Sequence, residues 1–184
     1  MQHNSDGKLA TSMGHAINGM AVLSTTFVLD GRGSFAKVLS TALHPEGFEI
    51  SELFWSRSGR GVIRGMHFQR EPYAGRKLVW SSEGIVRDVV LDTRSESSTF
   101  GQWNSFDLTP GSIALLIPAG VAHGFEVLSE NATMNYAQEC TYAPDFDAGI
   151  RYDSFNFPWI TDNPILSERD MGLPSWSAWK ATDR

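Results

Sequence analysis

Cysteine is nearly missing: Cys140 is the only one in 184 residues. One thiol closes no internal disulfide and builds no multi-cysteine metal site. A lone cysteine is more often a small core residue than a nucleophile, and Cys140 is read that way. Runs of lysine and arginine are also absent, and with a net charge of −6 the chain lacks the electrostatic footprint of a nucleic-acid binder. No stretch is apolar for long enough to span a bilayer, and residues 1–19 show no charged start followed by an apolar core. The expected compartment is the cytoplasm. Without a secretory route, the Asn131-Ala132-Thr133 glycosylation pattern carries no weight. Finally, no apolar period of 3.6 residues is sustained from Val62 to Tyr142, so helices should be few and short.

What is present reads as a β protein. Between Val62 and Tyr142, short runs of Val, Ile, Leu and aromatic residues alternate with Gly, Pro, Ser, Asn and Asp clusters. The expected strands are 62–68, 77–81, 85–91, 103–108, 113–117, 124–128 and 133–141. They imply an antiparallel sandwich or barrel, and periodicity alone does not choose between these. The length fits one domain, placed at residues 20–184, behind a loose polar extension at residues 1–19. Six Trp and eleven Phe are generous, and suit a β-rich core, a binding cleft or a subunit interface. The aromatic, weakly patterned C-terminal part from Asp145 should wrap the sandwich.

The chemistry-bearing segments contain a base, a cation and a carboxylate, but no metal-ligand cluster. His67 lies inside Arg64-Gly65-Met66-His67-Phe68-Gln69, Lys77 follows ten positions later, His123 sits in Ala122-His123-Gly124-Phe125, and Asp170 ends Leu166-Ser167-Glu168-Arg169-Asp170. Such a set suits proton transfer at carbon. Taken singly, each residue has an ordinary explanation. An isolated histidine in an apolar run is more often a hydrogen-bonded core residue, Lys77 a strand-end lysine, Tyr136 a cross-strand aromatic, and Asp170 a surface carboxylate.

Together with Asp30-Gly31-Arg32-Gly33-Ser34-Phe35, Asp88 to Arg94, Ser98 to Trp103 and Ile117 to Phe125, these segments resemble the dTDP-4-dehydrorhamnose 3,5-epimerase family. The resemblance runs from about Phe27 to Trp176 and implies an all-β, cupin-type jelly roll with a few short helices. It implies an isomerase in deoxysugar and polysaccharide biosynthesis, without cofactor, acting on a nucleotide-linked 4-keto-6-deoxyhexose. In that reading His67 is the base, and Asp170 fixes its tautomer. Lys77 stabilises the enolate oxygen, and Tyr136 returns a proton on the opposite face. Arg64, His123 and Arg32 hold the sugar and pyrophosphate, with Phe35, Gln69 and Tyr142 completing the substrate-binding set. The Arg32 segment is implied to come from a neighbouring subunit, making the protein a homodimer.

Two departures from the family pattern stand out. Glu52-Leu53-Phe54-Trp55 replaces a polar stretch before Ser56-Arg57-Ser58, and Lys37 falls where family members carry an acid. They leave open a different nucleotide, an unusual sugar, or epimerisation at only one of C3 and C5. The rival readings are a ketoisomerase, which tends to carry a second histidine where Phe68-Gln69 stands, and a non-catalytic carbohydrate-binding jelly roll. A metal cupin would need His-x-His with a later glutamate and histidine, a spacing this chain lacks.

Overall fold

The computed structural model describes residues 12–40 and 45–182. In chain order the strands are β1 Ser12–Gly14, β2 Ala21–Ser24, β3 Thr26–Asp30, β4 Gly33–Lys37, β5 Glu52–Gly59, β6 Ile63–Gln69 and β7 Lys77–Glu83. They continue with β8 Val86–Asp92, β9 Trp103–Leu108, β10 Ile113–Ile117, β11 Val121–Val127, β12 Asn131–Gln138 and β13 Asp147–Gly149. Two short helices close the chain, α1 Glu168–Met171 and α2 Trp176–Thr182.

The strands form a six-stranded sheet, ordered β1-β9-β8-β11-β6-β13, and a five-stranded sheet, ordered β2-β10-β7-β12-β5. Every strand pairing in them is antiparallel, giving the jelly-roll class expected. β3 and β4 form a separate hairpin.

Strand alternation sends residues to opposite faces and builds three apolar layers. Between the sheets lie Val90, Phe106, Val121 and Phe125 from the first, against Val79, Leu115, Ile117 and Met134 from the second. The outer face of the six-stranded sheet presents Met66, Phe68, Val89 and Leu91 to Ile150, Phe157 and the tryptophans 159, 176 and 179. This is how the C-terminal part wraps the sandwich: Trp103 and Phe157 meet edge to face at 5.0 Å, and Phe68 and Trp179 at 5.1 Å. A third layer gathers Phe48, Leu78, Leu116 and Ala137 on the outside of the five-stranded sheet.

The expected strands 103–108 and 113–117 coincide with β9 and β10. Three expectations need correction. β11 begins at Val121, so His123 stands in mid-strand. The N-terminal extension placed at 1–19 does not run that far: β1 pairs with β9 at the sheet edge, and Ile17 is buried in the central core. Residues 1–11 lie outside the described residues. The third correction is β5, an eight-residue strand that the expected set, which begins at Val62, does not include. Its run of three consecutive bulky apolar residues, Leu53-Phe54-Trp55, hides the alternation, because both of its faces carry side chains with apolar surface.

Candidate active site

A cavity of about 770 Å³ opens between the sheets. One wall is built by β6 and β11 with Arg64, His67, Gln69 and His123, the other by β5, β7 and β12 with Phe54, Ser56, Lys77, Tyr136 and Gln138.

Arg64 and His67 are three apart, so a regular strand would place them on opposite faces. An irregularity resolves this: His67 pairs with His123 and Arg64 with Phe125, so three steps on β6 match two on β11. Gly65 carries the bulge with φ +116°, and a Cβ there would meet Gly124 Cα at 2.5 Å and the His123 carbonyl oxygen at 2.7 Å. Only a glycine pair lets the strands cross this closely. The consequence is that an arginine and a histidine both face the cavity.

His67 Nε2 lies 2.6 Å from Asp170 Oδ1, and Asp170 Oδ2 accepts a 3.3 Å bond from the Gly65 N–H. Asp170 sits in α1, where Ser167 caps the helix by accepting from the Asp170 N–H, and its side chain is only 4 % exposed. Burial drives the Asp170 pKa up, but the His67 bond and the Gly65 N–H outweigh it and the net shift is down. For His67, burial is the largest influence and lowers its pKa, while Asp170 only partly opposes this. The imidazole is therefore neutral at pH 7. With Nε2 engaged by the carboxylate, Nδ1 is the nitrogen able to take a proton.

A second pair lies deeper. His123 Nε2 is 2.6 Å from Asp88 Oδ2, and Asp88 is fully buried on β8. Burial raises the Asp88 pKa, against the pull of His123, and its other oxygen, Oδ1, has no hydrogen-bond partner among the described residues. Sequence reasoning missed Asp88. The available signal was a carboxylate inside the apolar run Asp88-Val89-Val90-Leu91, which requires a buried partner.

Lys77, at the start of β7, loses solvation in the cavity, which lowers its pKa to about 8 against the pull of Asp147. Asp147 also accepts from Arg169 at 2.7 Å, and both line the cavity without having been singled out from the sequence. Tyr136 is buried, so its phenol is pushed well above its ordinary range and keeps its proton. Arg64 is aimed by a 2.9 Å bond from Nε to Ser58 Oγ on β5. Tyr142 lines the rim, its backbone N–H donating to Glu52 at 3.0 Å.

Gln69 reaches the cavity wall, but its amide is committed elsewhere. It donates to the Tyr73 and Thr141 carbonyls and accepts from the Ala143 N–H at 2.6 Å, so it acts as a clamp on the loops. Arg32 and Phe35 do not reach this chain's cavity. They stand on the exposed hairpin, where Arg32 pairs with Asp30. Lys37 ends the same hairpin. Among the described residues no three His, Cys, Asp or Glu side chains gather as a metal site, and no helix is long and apolar enough to cross a membrane.

The family model for dTDP-4-dehydrorhamnose 3,5-epimerase matches residues 14–178. The dTDP-4-dehydrorhamnose 3,5-epimerase of Shigella flexneri is 43 % identical over 149 residues, covering 77 % of this chain and 82 % of the relative. Among solved structures, the enzyme of that name from Bacillus anthracis, with TDP and PPi bound, superposes with a TM-score of 0.80 at 30 % identity, over 90 % of this chain and 99 % of its own. The 4-keto-6-deoxy sugar epimerase of the novobiocin biosynthetic gene cluster of Streptomyces spheroides gives a TM-score of 0.85 at 29 % identity, over 96 % of this chain and 92 % of its own. The matched span takes in both walls of the cavity, and on that ground the chain belongs to the dTDP-4-dehydrorhamnose 3,5-epimerase family.

Proposed function

We propose that the protein epimerises a nucleotide-linked 4-keto-6-deoxyhexose at C3, C5 or both, by proton removal on one face of the sugar and proton return on the other. The observation that carries this reading is the placement of His67, backed by Asp170, and Tyr136 on opposing sheets across one cavity. The C4 ketone acidifies the neighbouring C–H bonds. His67 Nδ1 takes the proton, Asp170 stabilises the imidazolium, and the electron pair moves onto the ketone oxygen. Charged Lys77 is suited to hold that oxygen. The Tyr136 phenol then returns a proton from the other wall. Arg64 and His123 are suited to the sugar and pyrophosphate, and no step requires a cofactor.

The same reading makes the protein a homodimer. No residue of the β3–β4 hairpin is buried, although it carries Phe27, Val28, Leu29 and Phe35. A bare hairpin with an apolar surface is poorly stable alone and calls for a covering partner. A second copy would place Arg32 and Phe35 at the neighbour's cavity.

The test is proton NMR in deuterium oxide with a panel of 4-keto nucleotide-sugars. Exchange at C3 or C5 of a 4-keto-6-deoxyhexose, accompanied by inversion, is the expected result and identifies both the sugar and the carbon. No exchange into any member of the panel would defeat the reading.

A further inference from the structure

Phe54 is the third residue of β5 and is directly opposite Tyr136 in the β5–β12 register. That register turns a sequence separation of 82 residues into a cross-strand neighbour pair (136 − 54). Their rings are stacked, with centroids 4.7 Å apart and planes 12° from parallel. Tyr136 meets His123 at a wider separation, 6.0 Å, edge to face. The one hydrogen bond that the described residues offer the Tyr136 hydroxyl is a 3.4 Å contact with Ser56 Oγ, too long to fix its direction. Packing therefore decides where the phenol points: Tyr136 belongs to the central apolar cluster, and two rings bear directly on its own. Phe54 supplies the parallel one, from an edge strand whose only ladder neighbour among the described residues is β12.

Resting on the epimerase reading above, we propose that Phe54 is a positioning residue for the second half of the reaction: its ring, stacked on Tyr136, aims the phenol at the face opposite His67. In the first half the C–H bond breaks, His67 gains the proton, and the electron pair passes into the enolate. In the second half the enolate carbon takes the proton of the Tyr136 O–H, the C4 carbonyl reforms, water reprotonates the phenolate, and the proton held by His67 passes to solvent. When the phenol is mis-aimed, the enolate has one remaining donor, protonated His67. That donor returns the proton to the original face, after its own proton has exchanged with solvent. The signature is exchange without inversion.

The experiment follows deuterium incorporation and inversion by NMR in deuterium oxide, using dTDP-4-dehydro-6-deoxyglucose with the wild-type protein, Phe54→Leu and Phe54→Tyr. For Phe54→Leu the number of inversions per exchange should fall roughly tenfold, while exchange itself falls far less. Phe54→Tyr keeps a stackable ring and should restore the wild-type ratio. An unchanged ratio in Phe54→Leu, or a parallel loss of exchange and inversion such as a damaged fold would give, overturns the proposal. A ratio that Phe54→Tyr fails to restore overturns it too. A wild-type protein that exchanges no proton, with this substrate or with any other 4-keto nucleotide-sugar of the panel, would defeat the epimerase reading itself, and is seen before either variant is compared.

Discussion

The two walls of the cavity are built on different terms. The six-stranded wall, with His67 and His123, is fixed from behind: each histidine has a buried carboxylate within 2.6 Å, and a glycine pair locks the strands. The five-stranded wall ends in the edge strand β5, where Phe54 is 43 % exposed and Leu53 69 % exposed. A histidine held by a carboxylate has its tautomer and direction set before substrate arrives, whereas a phenol held by ring stacking depends on whichever side chain stands beside it. On the proposed mechanism, proton removal is thus the built-in half of the chemistry, and the half that returns the proton is the adjustable one.

The sharpest way to break this contrast is to remove the base. His67→Asn should lower turnover by roughly 10²-fold or more with the fold retained, and Asp170→Asn should share the defect, both read by steady-state kinetics and thermal melting. Next is the buried pair behind the wall. Asp88→Ala leaves buried His123 without its hydrogen-bonding carboxylate and should cost about 3 kcal/mol of stability in denaturant unfolding. Cost-free removal would show that the six-stranded wall is not held in this way.

The pH profile separates the walls more finely. Because burial lowers the His67 pKa below its ordinary 6.5, the neutral base survives to lower pH, and the acid limb of kcat/KM should have its midpoint below 6.5. Asp170 opposes that shift, so Asp170→Asn should move the limb further down as the rate drops. On the alkaline side, Lys77 loses its charge as pH rises through about 8, and activity should fall there. Lys77→Arg keeps a charge far above that pH and should abolish the alkaline limb, whatever it does to the maximum. The smallest effect belongs to Ser58→Ala, which frees Arg64 from its 2.9 Å anchor and should raise KM about threefold with little change in kcat.

How far the sequence could be read follows from the same contrast. The strands from Val62 to Gln138 are legible because buried apolar runs and turn residues alternate within short spans. β5 is not, since Leu53-Phe54-Trp55 breaks the alternation and its ladder partner lies some eighty residues downstream. The closeness of His67 and Asp170 was implied only by the family resemblance, as no spacing rule connects residues 103 apart. Gln69 lines the cavity, as its place in the motif suggests, but the motif does not show that its amide is spent on three backbone groups of two loops. Asp88 carried its own warning as a carboxylate in an apolar strand. Arg32 and Phe35 stand on the exposed hairpin, away from this chain's cavity, and a role for them in substrate binding rests on the proposed second copy.

The central claim is that base and acid act from opposite walls, and Tyr136→Phe in deuterium oxide tests it most directly. The account predicts deuterium entering the sugar at a rate close to wild type with the original configuration kept, because His67 still removes the proton and alone returns it. Inversion by Tyr136→Phe at the wild-type rate would contradict it.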